Sequence, residues 1–409
     1  MATIKLKLTQ MAHGGSAIGR RQKSGLVFVP YAIPGEQVEV TITKDKGSYA
    51  EARVEKILRP SPSRVKARCK HFGTCGGCHF QHITYEKQLE LKRELVRDQL
   101  ERIGKLKNVA VAPTLAHPDP WAYQEDVALS PTKDGRLGFW SPHAHRVIPI
   151  EECHVISPRL QSLWQEDIDL SLPGLRKLTL RLGLEDEVLA ALEVDDVEPP
   201  ELEADFPVSV AIVLPDKTAA SLIGNPVIDK QAKGRVFRVS PGCYFAPSTT
   251  AASMIIDAVL DYAQLSGTET VLEGYSGVGT LTAFLAQQAR EVTSVEINEN
   301  AIEDMAVNLD DCDNVTLYHG WFEEVAPLLE VVPDLAVINP PQSGLTPNAS
   351  RALLAKKPKK MIYVSSDIAT LARDGKHLAR GGYRLTAVQP IDALPQTFQI
   401  TAVSLWERR

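Results

Sequence analysis

Along the first 58 residues, apolar positions alternate with more polar ones. Val27 and Val29, then Val38, Val40 and Ile42, then Ala50, Ala52 and Val54 keep a period of two. That alternation marks half-buried strands. Gly14-Gly15, Pro34-Gly35 and Lys46-Gly47 supply turns between them. So many short strands in so short a stretch predict a small barrel of the oligonucleotide-binding kind. Arg59-Pro60-Ser61-Pro62 reads as a linker. Over 85–103 the period lengthens: Leu89, Leu95, Leu100 and Ile103 recur at helical spacing, charges fill the other face, and Gly104 stops the helix. From Trp121 to about Arg235 the pattern is β-rich and interrupted, as in an α+β domain. Beyond Val236 it alternates. Strands are predicted at 269–273, 291–297, 334–339, 360–366 and 396–406, with helices at 280–289 and 299–309. Such alternation implies a parallel sheet covered on both faces. The chain thus reads as multidomain: a barrel over 1–60, a central α+β domain over 61–235, and an α/β Rossmann-like domain over 236–409, with the helix at 85–103 packed on the last.

Composition adds exclusions. The chain has 409 residues, 44% hydrophobic and 23% charged, ordinary for a globular protein. No apolar run approaches the ~18–20 residues that span a bilayer. Residues 1–7 are alternating and basic, without an apolar segment or a cleavage signal. A cytoplasmic monomer with no membrane partner is the expectation. The net charge of −6 hides a division. Residues 1–110 carry 21 Lys+Arg against 10 Asp+Glu, and the remainder 24 against 41. A basic first quarter points to a polyanion partner. The ten acids over 185–205, with no base among them, read as a solvated loop or domain edge.

Three clusters carry chemistry. Gly274-Tyr275-Ser276-Gly277-Val278-Gly279 follows a strand and opens a helix, and Glu296 ends the next strand. Glycines let backbone approach a ligand, and a carboxylate there is placed for ribose hydroxyls. The Gly-x-x-Gly-x-Gly spacing suits the nucleoside site of S-adenosylmethionine enzymes better than the dinucleotide fingerprint. The candidate cofactor residues are Tyr275, Gly277, Gly279, Glu296 and Asn339. Asn339-Pro340-Pro341-Gln342-Ser343-Gly344 follows a later strand and forms a rigid loop. It is similar to the Asn-Pro-Pro-aromatic loops of amino-methylating enzymes, with Gln342 in the aromatic's place. Cys69-x5-Cys75-x2-Cys78 has metal-ligand spacing, and Cys153 is the best fourth ligand. Spacing alone leaves zinc and iron–sulfur open, and His71, His79 and His82 keep a Cys-His zinc site in play.

Taken together, these residues resemble the RNA uracil carbon-5 methyltransferases over almost the whole chain. Ala12-His13-Gly14-Gly15 and Gly47-Ser48-Tyr49-Ala50-Glu51-Ala52-Arg53-Val54 resemble the family's RNA-binding TRAM barrel. The set Cys69, Cys75, Cys78 and Cys153 is similar to its 4Fe-4S ligands. Ser240-Pro241 with Tyr244-Phe245, the Gly274 loop, Glu296, Pro340-Pro341-x-x-Gly344, Tyr363-Val364-Ser365 and Thr370-Leu371-Ala372-Arg373-Asp374 follow in the family's order. The resemblance implies S-adenosylmethionine and a 4Fe-4S cluster as cofactors, with zinc as runner-up, and RNA (rRNA or tRNA) as partner.

The departures fall on the chemistry. The family's catalytic cysteine, followed by Asn-Pro, is here Ser366, followed by Asp367-Ile368. Its Pro-x-Thr-x-His-Val-Glu run, whose Glu is the general base, is Pro395-Gln396-Thr397-Phe398-Gln399-Ile400-Thr401. Asp-Pro-Pro-Arg has become Asn339-Pro340-Pro341-Gln342, and a cofactor-contacting Gln has become Ala246. Uracil carbon-5 becomes nucleophilic only after a thiolate adds to carbon-6, and a base must then remove the carbon-5 proton. A serine hydroxyl ionises far less readily than a thiol, and if the gap is roughly four pKa units the cost is about 5–6 kcal/mol. Three readings follow: an RNA- and cofactor-binding member that has lost the cysteine route, an active methyltransferase with altered chemistry, and an enzyme whose nucleophile has moved to Cys243.

Overall fold

In a computed structural model, the described residues are 3–21, 25–141, 144–165, 172, 174–195, 208–214 and 218–409. Strands β1 (Thr3–Met11), β2 (Ser16–Arg20), β3 (Leu26–Pro30), β4 (Gln37–Asp45) and β5 (Tyr49–Arg59) close a barrel in the order β1-β2-β3-β5-β4. The alternation fills its interior with Leu6, Leu8, Val27, Val29, Val38, Val40, Ala50 and Ala52. Closure leaves no free sheet edge. The expected linker is stitched down: the fully buried Glu36 carboxylate accepts from Ile33 N, Ser61 N and the Arg64 guanidinium.

The predicted helix is α1 (Tyr85–Arg102), but its buried stripe is rotated from the expected one. Leu91, Leu95, Val96 and Leu100 face inward with Gln88, Lys92 and Gln99, whereas Ile103 is exposed. The helix is followed by β6 (Ala110–Val111). Next come β7 (Asp126–Pro131), β8 (Leu137–Ser141), β9 (Arg146–Pro149), α2 (Pro158–Gln165), β10 (Leu175–Leu182), β11 (Val188–Val194), β12 (Ser209–Val213) and β13 (Ala219–Ile223). Their seven strands form a sheet of order β13-β12-β11-β10-β7-β8-β9. The acidic stretch expected to be a loop therefore contains a core strand, with Val188, Leu189 and Leu192 buried. Residues 196–205 of that stretch lie outside the described residues. A hairpin of β14 (Ile228–Ala232) and β15 (Arg235–Val239) leads on.

The remainder is α3 (Thr249–Ala263), β16 (Thr270–Gly274), α4 (Thr282–Ala286), β17 (Glu291–Glu296), α5 (Glu299–Asn308), β18 (Val315–His319), α6 (Phe322–Val325), β19 (Leu335–Ile338), α7 (Pro347–Lys356), β20 (Lys360–Ser365), α8 (Ile368–Arg380), β21 (Tyr383–Ile391) and β22 (Thr401–Arg408). The sheet order is β18-β17-β16-β19-β20-β22-β21-β6. Strands β18 to β20 in that order run parallel; β22 runs against β20 and β21. The two N-terminal pieces complete this domain, since α1 packs on α8 and β6 pairs with β21. Lys92 and Asp392, neither with any exposure, form an ion pair that ties α1 to the segment after β21. Barrel residues Met11 and Ile33 share a core with Phe80, Leu91 and Tyr363, so the barrel is packed into the rest of the molecule. Among the described residues no helix is long and apolar enough to cross a membrane.

Candidate functional site

The carboxyl ends of β16, β17, β19 and β20 gather most of the residues singled out in the sequence. Ligands of open parallel sheets bind at that edge. After β16 the chain turns through Tyr275 at φ 60°, Gly277 at φ 58° and Gly279 at φ 84°. A side chain on Gly279 would meet Met305 Cγ at 2.8 Å, because α5 passes close beneath, whereas Gly277 borders open space. The predicted helix here shrinks to the five residues of α4, too short for an appreciable dipole. The turn's own N–H groups are largely committed: Tyr275 N and Ser276 N donate to Val295 O, and Gly279 N donates to Ser276 O. Glu296, at the end of β17, already organises that turn: Oε2 accepts from Gly277 N at 2.8 Å, and Oε1 accepts from Ile297 N and Asn298 N. Tyr275 stacks on Phe322 at 5.8 Å. Asn339 follows β19, and its N–H donates to Gly274 O, which draws the proline loop beside the glycine turn.

A buried acid, the last residue of the Thr370–Asp374 motif, holds the proline loop. Asp374 of α8 accepts from Tyr363 Oη and Leu345 N, both at 2.8 Å, and from Arg373 Nε. Arg373 in turn donates to Ser343 O. Gly344 is required there, since an added Cβ would lie 2.4 Å from Asp374 Oδ2. Glu273, which the sequence pattern did not single out, lies fully buried in β16 with Thr282 and Ser294 as donors. Burial pushes its carboxyl up to about 7. The available signal was an acid inside an otherwise apolar parallel strand.

Ser366 follows the last residue of β20, and Thr401 opens β22. The register pairs Ser365 with Ala402, so Ser366 and Thr401 occupy neighbouring strand ends. Asp367 caps α8, with Oδ1 accepting from Thr370 N at 2.8 Å. The barrel reaches the same place. His13, in the turn between β1 and β2, bonds Asp367 Oδ2 through Nε2 at 3.1 Å and meets the Phe398 ring edge-on. His79 meets Phe398 from another side, at 4.7 Å. Ala246 is buried, and so is Cys243, whose thiol burial pushes up to about 12. A nucleophilic cysteine needs the opposite shift.

Residues 2–54 match the TRAM domain, and residues 251–322 match the ribosomal RNA adenine dimethylase family. An uncharacterized RNA methyltransferase of Halalkalibacterium halodurans is 31% identical over 99% of this chain and 96% of its own. One from Bacillus cereus is 32% identical over 99% and 96%. The chain belongs to this RNA methyltransferase family. Among solved structures, the tRNA (uracil-54, C5)-methyltransferase of Pyrococcus abyssi, in complex with S-adenosyl-L-homocysteine, superposes with a TM-score of 0.73. It is 25% identical, and the match covers 98% of this chain and 100% of that one.

In this chain the four cysteines Cys69, Cys75, Cys78 and Cys153 line one cavity of about 130 Å³ with Phe72, Tyr123, Phe139, Ile150 and Val155. None of the four is joined in a disulfide. Burial pushes Cys78 up to about 12 and Cys153 to about 11, and the neighbouring thiols add to it. Among the described residues no three His, Cys, Asp or Glu side chains converge on a single-ion site. Thr397 and Gln399 line the same cavity, so the cysteine pocket abuts the segment leading to Thr401. A second cavity, about 520 Å³, lies beside β18 and touches none of these residues.

Proposed function

We propose that this chain binds S-adenosylmethionine at the turn over 274–279 and RNA through its barrel, and does not use the cysteine-adduct route of carbon-5 methylation. The observation that carries the reading is the pairing of β20 with β22. The pair Ser365–Ala402 at its end supports a site in which the adjoining Ser366 and Thr401 stand where that route would need a thiolate and a carboxylate. Support for the cofactor comes from the open approach to Gly277, from Glu296, and from the S-adenosyl-L-homocysteine held by the Pyrococcus abyssi enzyme. Tyr275, Gly279 and Asn339 complete its frame. Support for RNA comes from the TRAM match and the basic first quarter.

The cysteine set fits a 4Fe-4S cluster held by Cys69, Cys75, Cys78 and Cys153. The four surround one cavity, with Cys75 and Cys78 buried and Cys69 and Cys153 half-buried, and a cationic centre would be needed to hold them together as thiolates. When bound, the cluster supplies structural clamping between barrel, central sheet and the segment over 394–399. Anaerobic purification should give a brown protein with iron and acid-labile sulfide, and stoichiometric zinc without iron would overturn the assignment.

A second reading has two observations of its own. The ribosomal RNA adenine dimethylase match covers the cofactor half of the sheet, and Asn339-Pro340-Pro341 follows β19. Both favour direct methyl transfer to a heteroatom, which requires no covalent adduct. The deciding experiment incubates the protein with labelled S-adenosylmethionine and RNA that lacks its modification, then analyses the nucleosides. The proposal expects cofactor and RNA binding without 5-methyluridine, and 5-methyluridine formation would refute it.

A further inference from the structure

The two groups lost from Ser366 and Thr401 leave the site without an obvious proton acceptor, but the fold brings one in from 354 residues away. His13 comes from the barrel turn and Asp367 from the loop after β20, next to Ser366. We propose that His13, oriented by Asp367, is the proton acceptor for direct methyl transfer to an O–H or ring N–H group of an RNA nucleotide. The inference rests on the reading that this site holds S-adenosylmethionine and RNA.

Asp367 is the fixed member. Thr370 N holds Oδ1 at 2.8 Å, which leaves Oδ2 for His13 at 3.1 Å. An ionised carboxylate only accepts, so imidazole Nε2 carries the hydrogen of that bond. Nδ1 then keeps the lone pair, in the arrangement by which a carboxylate orients a general base. His13 is a third exposed and Asp367 a quarter, so solvent can remove the proton afterwards. The His13 turn is wedged in place: a side chain on Gly15 would meet His79 Cβ and Phe398 Cβ, each at 3.2 Å. The other charged or titratable groups facing the pair are His79, across the Phe398 ring, and Arg373, along α8.

The step balances. The acceptor's lone pair forms a bond to the methyl carbon of the sulfonium. The carbon–sulfur bond breaks, and its electron pair stays on sulfur as the neutral thioether. The acceptor's proton passes to Nδ1 of His13 and then to water. Neither a thiolate at Ser366 nor a carboxylate at Thr401 takes part, which accounts for their dispensability.

The test uses the full chain, S-adenosylmethionine labelled in the methyl group, and RNA lacking the modification. Wild type, His13→Gln and Asp367→Asn are compared for rate, RNA and cofactor affinity, and pH profile. The glutamine amide still donates to Asp367, so a barrel clamp would survive while a base would not. The expected product is an O- or N-methylated nucleoside. The expected loss in His13→Gln is about 10²–10⁴-fold in kcat, with both affinities within about twofold, as for removal of a general base. The wild-type rate should rise with pH through one deprotonation that His13→Gln lacks. Full activity in His13→Gln would overturn the proposal and leave the pair as a clamp. So would a covalent adduct of wild type with 5-fluorouridine RNA, or binding of both ligands without methyl transfer. Failure of wild type to bind S-adenosylmethionine would instead overturn the cofactor reading beneath it.

Discussion

Replacing Ser366 by cysteine should restore trapping of 5-fluorouridine RNA, but slowly, because of the residue beside it. That neighbour, Asp367, is an acid, and burial alone would raise its carboxyl. The bonds from His13 and Thr370 N outweigh that and hold it below the usual carboxylate range, so it is an anion at neutral pH. For a thiolate and carboxylate on adjacent residues, taken as ~6 Å apart at an effective dielectric near 20, the penalty is about 3 kcal/mol, or about two pKa units. At pH 8 that cuts the thiolate fraction of an ordinary thiol about 80-fold. The more basic thiolate is also the better nucleophile, which recovers about six- to tenfold. The net expectation is a roughly tenfold slower adduct for Ser366→Cys than for Ser366→Cys with Asp367→Asn. The assay is the time course of a denaturant-stable gel shift with 5-fluorouridine RNA. Equal rates for the two variants would refute the electrostatic argument, and a stable adduct with wild type would refute the claim that the site lacks a nucleophile. Methyl transfer to carbon-5 should need Thr401→Glu as well, since the carbon-5 proton must still leave.

Neutralising Arg20, Lys44 and Lys46 should flatten the dependence of RNA affinity on salt by about 0.7 for each phosphate no longer neutralised, measured by titration at several ionic strengths. Arg21, paired with Asp45 Oδ2 at 2.6 Å, should contribute less than these three, and Lys23 lies outside the described residues. Glu273 is raised to about 7 when folded, so the native state holds a proton that the unfolded chain releases near 4.5. Stability should therefore fall between about pH 4.5 and 7, by about 3 kcal/mol in all, and Glu273→Gln should remove most of that fall in urea titrations. Lys92→Met should cost about 3–5 kcal/mol by stranding the Asp392 carboxylate, while adding Asp392→Leu should recover most of it in the same titrations.

Local pattern carried far into the fold but not across it. The barrel strands and α1 were legible because their periods are regular, and most strands of the parallel sheet because their apolar runs end at glycines, prolines or acids. Strand β18 was not, since Val315–His319 is short, polar and partly exposed. Helix α8 was hidden because its residues were read as a motif. The final strand begins at Thr401 and not at 396, because Gln396 is tied to Gln88 and to the backbone of His79 and Phe80. In the site, the glycine turn, Glu296 and the cysteines announced themselves by residue type and spacing. The contact of His13 with Asp367 did not, because a link across 354 residues leaves no local trace.

The small strand β6 and the helix before it also set the order in which this protein can be made. Both leave the ribosome early, yet their partners β21 and Asp392 lie near the other end of the chain, 300 residues on from Lys92 in the case of Asp392. At bacterial-to-eukaryotic elongation rates that is a wait on the order of 15–60 s. A purely apolar helix face would be a liability over such an interval. The inward face of α1 carries Gln88, Lys92 and Gln99 beside its apolar residues, so it is not such a face. Conversely, a fragment starting at residue 236 would present the outer edge of β21 unpaired and Asp392 without its cation, the state in which sheets join neighbouring chains. The N-terminal quarter thus closes the edge of the C-terminal sheet and supplies the cation for Asp392.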